Sequence, residues 1–159
     1  MFEKSLNIFI EVLPIHHPSF ATLYNNIGLM CHSLGDYDKA IKYLKQKYEI
    51  QRNSLPANHS DFTKTYHNLG RFYYEQGKFN EALEMHDKCI ETQLKSLAKN
   101  HPSIATSCNS ISMIYTALGK YDIAHDYFKK ALVIQENFLP SNHPDIAVIY
   151  NEIGIIGHK

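Results

Sequence analysis

Four histidines, His17, His59, His101 and His143, recur at a fixed spacing of 42 residues, and most of the chain recurs with them. Aligned on that spacing are Gly35, Gly77 and Gly119; Ala40, Ala82 and Ala124; Gln51, Gln93 and Gln135; Leu55, Leu97 and Leu139; and Asn58, Asn100 and Asn142. Self-similarity at one period restricts the fold to a repeat array, in which each unit buries its apolar face against its neighbours. The frame divides the 159 residues into units 17–58, 59–100 and 101–142, preceded by a partial unit 1–16 and followed by a partial unit 143–159.

Within a unit, Phe20, Leu23, Tyr24, Ile27 and Cys31 fall at three- and four-residue steps, which predicts a first amphipathic helix, helix A. His17-Pro18-Ser19 marks its start, since proline suits a first helical position where its missing N–H has no partner to lose; Pro102 and Pro144 repeat the signal. Gly35, Gly77 and Gly119 predict the turn that ends it. A second periodic stretch through Tyr37, Ala40, Ile41, Leu44, Tyr48 and Leu55 recurs as Phe79, Ala82, Leu83, Ile90 and Leu97, and as Tyr121, Ala124, Phe128, Leu132 and Leu139. This is helix B. Small residues at Gly28, Gly70 and Ser112 on helix A, and at Ala40, Ala82 and Ala124 on helix B, predict close backbone approach within and between pairs.

The pattern Tyr66-x-x-Leu69-Gly70-x-x-Tyr73 followed by Gly77-x-Phe79-x-x-Ala82 resembles the tetratricopeptide repeat, and Ile111, Ser112, Tyr115, Gly119, Tyr121 and Ala124 match it again. The usual repeat has 34 residues. The 42-residue spacing, with openings His101-Pro102-Ser103-Ile104-Ala105-Thr106 and His143-Pro144-Asp145-Ile146-Ala147, is similar to the kinesin-light-chain type of the repeat. The resemblance implies an all-α, right-handed helix-turn-helix solenoid acting as a protein interaction module. Residues 1–16 fit the last part of a helix B and residues 143–159 most of a helix A, neither with a polar cap. A fragment of a longer array is therefore expected, with self-association through uncapped ends as a further expected contact.

Charge and cysteine usage narrow the function classes. Lys plus Arg and Asp plus Glu both number 16, which gives no global basic footprint for a nucleic acid. Cys31, Cys89 and Cys108 are few, widely spaced and without a CxxC pair, so no disulfide framework or zinc ribbon is expected and a reducing, cytoplasmic address is. No run approaches the length of a membrane span, and no membrane partner is expected. Asn58-His59-Ser60 matches a glycosylation sequon without a secretory signal to expose it.

Charge does cluster locally. Side chains at i, i+3, i+4 and i+7 project from one face of a helix, and in the second unit these are Lys64, His67, Asn68 and Arg71. Two cations, an imidazole and an amide suit carboxylates and the backbone of an extended acidic peptide. The family resemblance implies such binding in the groove lined by the A helices, with asparagines holding the peptide backbone. Asn26 and Asn68 occupy matching steps, and Asn25 and Asn109 lie one residue earlier. The third unit departs, with Thr106, Ser110 and Met113 where the second has Lys64, Asn68 and Arg71. The same stripe also fits a solvated helix face.

Four of the ten histidines open repeats, which fits a structural role, and His16-His17 and His125 lack partners at metal-site spacing. No catalytic motif, cofactor motif or metal site is read in the chain, and it is expected not to be an enzyme. Two alternatives stay open: an accessory arm of an enzyme whose catalytic domain lies outside these residues, and a kinesin-light-chain-type cargo adaptor with a coiled coil upstream.

Overall fold

A computed structural model describes residues 19–56 and 59–157. The expectations for residues 1–16, for His17 and Pro18, and for Asn58 lie outside the described residues. Among the described residues seven helices follow one another: α1 (Ser19–Ser33), α2 (Tyr37–Ser54), α3 (Asp61–Glu75), α4 (Phe79–Ser96), α5 (Pro102–Ala117), α6 (Tyr121–Glu136) and α7 (Pro144–Ile156). Both ends of α1 and α2 lie 42 residues before the corresponding ends of α3 and α4. Helices α1 and α2, α3 and α4, and α5 and α6 pack as antiparallel-type pairs joined by tight turns, and each second helix also packs on the first helix of the next pair. The result is an all-α helical repeat solenoid.

The helix starts explain the periodic histidines. His101 and His143 are N-caps whose Nδ1 accepts from the backbone N–H of Ser103 and Asp145, each at 3.2 Å, with Pro102 and Pro144 at the first helical position. His59, one residue before the N-cap Ser60 of α3, accepts in the same way from the Asp61 N–H at 3.2 Å. An imidazole nitrogen here replaces the Ser, Thr, Asp or Asn oxygen that usually satisfies an orphan N–H.

The first helices end on a left-handed glycine. Gly35, Gly77 and Gly119 have φ of 77°, 73° and 70°, where a side chain is strained. The next residue's N–H reaches back to the helix, as Asp36 to Cys31, Lys78 to Tyr73 and Lys120 to Tyr115, each at 2.9 Å. These bonds complete a Schellman motif and fold α2, α4 and α6 back on their partners.

The predicted apolar columns are buried: Phe20, Leu23, Tyr24, Ile27 and Cys31 on α1, and Ala40, Ile41 and Leu44 on α2. Leu55 and Leu139 lie just past their helices rather than within them. A Cβ at Gly28 would stand 3.2 Å from the Ala40 carbonyl, so the predicted close approach of α1 and α2 occurs there. Gly70 has a different reason. A Cβ there would stand 2.6 Å from Nε2 of His86, a side chain 1% exposed. In the 42-residue register His86 takes the place of the buried core residues Leu44 and Phe128, and the absence of a side chain at Gly70 makes room for its ring.

The periodic glutamines join one pair to the next. Gln51 accepts from the Thr65 hydroxyl at 2.7 Å and donates to the Asp61 carbonyl at 3.2 Å. Gln93 repeats both bonds, accepting from Ser107 at 3.1 Å and donating to the Ser103 carbonyl at 3.0 Å. Gln135 does not: its Oε1 is buried with no partner, and Ile149 stands where Thr65 and Ser107 carry hydroxyls. On α7, Val148, Tyr150 and Ile155 are 53%, 54% and 45% exposed, and no described helix covers them.

Candidate functional site

Helices α1, α3 and α5 are the first members of their pairs, α3 and α5 each pack on the second helix of the pair before, and side chains from all three line a shared face. Along α3 the spacing of Lys64, His67, Asn68 and Arg71 leaves all four only half-buried or exposed, while Thr65, Tyr66 and Leu69 between them are buried. Lys64, His67 and Asn68 line a cavity of about 430 Å³ together with Asn25 of α1 and Thr106 of α5. Its floor comes from α4, through Cys89 and Gln93. A second cavity of about 230 Å³ adjoins it across His67 and is lined by Arg71, Glu75, His86, Ser110 and Met113.

The structure thus brings together Asn25, Lys64, His67, Asn68 and Arg71. It does not bring in Asn26, which is exposed and lines neither cavity, nor Asn109, which is half-buried with its Oδ1 lacking a partner. Asn25, one residue earlier than Asn26, is the asparagine of the first pair that lines a cavity with Asn68.

The cations differ in how free they are. Among the described residues no ion pair engages Lys64. Arg71 lies over the Phe72 ring at 5.2 Å, and its Nε is 4.0 Å from Glu75. The other oxygen of Glu75 meets His32 Nε2 at 2.6 Å, and the His32 ring stacks on Phe72 at 4.3 Å. Part of the Arg71 charge is therefore offset within the protein. Burial, with the Arg71 charge adding, holds the His67 imidazole below its ordinary range, so it is neutral near pH 7. Burial, with His67 adding, pushes His86 down to about 4.

Two residues that shape this face are not in the sequence-derived set, Lys47 and His86. The 42-residue register carries the signal for both: Lys47 shares a column with Cys89 and Ala131, and His86 with Leu44 and Phe128. A polar side chain in an otherwise apolar or small column marks a repeat that differs chemically from its neighbours. Basic character fades along the same rows, with Thr106, Ser110 and Met113 completing the cavities on the α5 side. Leu29 and Met113 flank Arg71 in register and are 36% and 43% exposed, which adds apolar surface on both sides of it.

Cys31, Cys89 and Cys108 are buried, as expected of small core residues. Burial raises the Cys89 and Cys108 thiols above their ordinary value, opposite to the shift a nucleophile needs. Among the described residues no three His, Cys, Asp or Glu side chains gather as a metal site, and no helix is long and apolar enough to cross a membrane.

The tetratricopeptide repeat model matches residues 1–53 and 61–137. The chain belongs to the tetratricopeptide repeat family. Its structure is similar to that of a putative kinesin light chain with nearly identical TPR-like repeats from Podosopora anserina, with a TM-score of 0.82 and 25% identity over 99% of this chain and 74% of that one. It is also similar to BtubC (BKLC) from P. vanneervenii, with a TM-score of 0.85, 17% identity, and coverage of 99% and 65% of the two chains. The N-terminal domain of stress-induced protein-1 from C. elegans aligns with a TM-score of 0.66 and 16% identity over 88% of this chain and 96% of that domain. No curated protein matches the chain. The repeats are of the kinesin-light-chain-like kind, and a tetratricopeptide array of this sort is a protein–protein interaction scaffold, a fold that is typically non-catalytic.

Proposed function

We propose that this tetratricopeptide array binds a short, extended acidic peptide segment along the concave face formed by α1, α3 and α5, as a cytoplasmic scaffold or adaptor that catalyses no reaction itself. The observation that carries the reading is the joint lining of one cavity by Asn25, Lys64, His67 and Asn68, with Arg71 in the cavity that adjoins it. Lys64 offers a charge that no carboxylate among the described residues engages as an ion pair, and Asn68 offers an amide that both donates to and accepts from a peptide backbone. The apolar flanks Leu29 and Met113 suit a segment whose acidic residue is bordered by apolar ones. The three buried cysteines fit a reducing compartment.

The test is a fluorescence-anisotropy titration of labelled hexaglutamate, with hexaglutamine as the neutral control, against the wild-type chain and the Lys64→Glu/Arg71→Glu variant. Salt-sensitive binding of hexaglutamate alone, lost on charge reversal, is the expected outcome. Equal affinity in the two proteins would remove the basis for the reading.

A further inference from the structure

The two cavities of the concave face meet at one side chain. Among the described residues His67 alone lines both, with Lys64 and Asn68 on one side of it and Arg71, Glu75 and Ser110 on the other. Behind it, the His86 ring of α4 meets the His67 ring edge-on, with centroids 5.5 Å apart. His86 is 1% exposed and its Nδ1 is buried without a partner. Of the two clustered imidazoles, His86 is shut off from solvent and His67 opens on both cavities.

The charges around His67 are one-sided. Its own helix supplies Lys64 three residues before it, Arg71 four residues after it, and Glu75. Helix α4 adds His86 and the buried Cys89 thiol, α1 adds Asn25, and α5 adds Thr106 and Ser110, none of them an acid. Lys47 of α2 stands behind Asn25 and donates to its Oδ1 at 2.9 Å. Glu75 is the one carboxylate in this set, and it is already engaged by His32 at 2.6 Å, with Arg71 at 4.0 Å. His67 therefore has no counter-charge of its own. Burial, with Arg71 adding, disfavours its imidazolium in the free protein.

A ligand carboxylate reverses that balance. In either cavity it lies against His67 and favours the imidazolium, and an opposite charge this close is worth about one to three pH units of titration midpoint. By linkage, binding then takes up a proton, and affinity rises as pH falls through the range between the bound and free midpoints. The free midpoint lies below the ordinary 6.5, which puts this range on the mildly acid side of neutrality.

We propose that binding on the concave face is proton-linked, with His67 as the switch between its two cavities: the array holds an acidic segment more tightly in mildly acid solution than at neutral pH. The proposal rests on the acidic-segment reading given above and adds its regulation. His86 backs the switch from the core without meeting the ligand.

The test uses the full chain and labelled hexaaspartate, whose carboxyls titrate at about 3.9 and so stay ionised across the range examined. The wild type is expected to bind about tenfold more tightly at about pH 5.5 than at about pH 7.5. Other histidines protonate over the same range, so His67→Gln, which keeps a hydrogen-bonding side chain that cannot be charged, isolates the switch. In that variant the tenfold difference is expected to disappear. Equal wild-type affinity at the two pH values, or a difference that survives in His67→Gln, overturns the proton link and leaves the concave-face reading standing. No hexaaspartate binding by the wild type at either pH overturns both. A readout that needs no variant is the Cε1–H resonance of His67: its titration midpoint is expected below that of an ordinary histidine in the free protein and to rise when hexaaspartate binds. A midpoint unmoved at saturating hexaaspartate overturns the proposal.

Discussion

The His86 imidazole fills the space that a side chain at Gly70 would need, with Nε2 standing 2.6 Å from where that Cβ would be. The pair is a size exchange between α3 and α4: the first helix gives up its side chain, and the second places a ring where the neighbouring repeats place Leu44 and Phe128. Gly70→Ala therefore drives a methyl group into a packed ring. The expected cost is about 1–3 kcal/mol, read from urea unfolding. Adding His86→Ala should recover much of that loss, because the ring that collides is then gone. Independent, additive losses would mean that the two residues are not coupled as described.

His86 also sets a pH dependence. Its folded pKa is depressed from 6.5 to about 4, so the unfolded chain takes up a proton in that window while the folded chain does not. Stability from this group is present in full above the unfolded value and is lost as pH falls toward the folded one; the expected loss between pH 7 and pH 4 is on the order of 3 kcal/mol. His67, also depressed, acts in the same direction. His86→Leu, which restores the residue type found at position 44, should flatten the profile over this range. A variant as acid-sensitive as the wild type would place the sensitivity elsewhere.

The glutamines at one position in three repeats should respond unequally. Gln51→Leu strips partners from the Thr65 hydroxyl and the Asp61 carbonyl, at an expected cost of about 2 kcal/mol. Gln135→Leu removes an amide whose Oε1 is already buried without a partner, so little or no loss is expected. Thermal melts of the two variants side by side decide the matter, and equal losses would contradict the role assigned to Gln51.

Glu75 competes with any acidic ligand for Arg71. Glu75→Gln releases the guanidinium from its 4.0 Å neighbour and is expected to raise affinity for hexaglutamate about two- to threefold. Weaker binding would mean that Glu75 orients Arg71 rather than offsetting it.

Most of the fold was legible because repetition multiplies the signal. One amphipathic stretch is ambiguous, but the apolar columns of Phe20, Tyr24, Ile27 and Cys31 recurring in register, closed by Gly35, Gly77 and Gly119, fix helix, turn and partner together. The stripe Lys64, His67, Asn68 and Arg71 followed from helical spacing alone. The roles of the histidine caps were less visible, since imidazole caps follow the usual hydroxyl and carboxylate preference only in geometry. Asn25 rather than Asn26 shares a cavity with Asn68 although Asn26 is its match in the repeat register, and spacing within one helix carries no information on such an offset between helices. Lys47 and His86 were missed because each was read within its own helix, where a lone polar residue looks unremarkable. Only comparison down the column exposes them.

The central claim is that an acidic segment lies along the face shared by α1, α3 and α5. Amide chemical-shift mapping during a hexaglutamate titration tests it directly, because the molecule offers a rival basic surface. That rival is a recess of about 610 Å³ along α2, lined by Lys42, Lys45 and Lys78 but also by Asp38 and Glu49. The account predicts shifts concentrated at Asn25, Lys64, His67, Asn68 and Arg71. Shifts confined to Lys42, Lys45 and Lys78, with the α3 stripe unchanged, would contradict it.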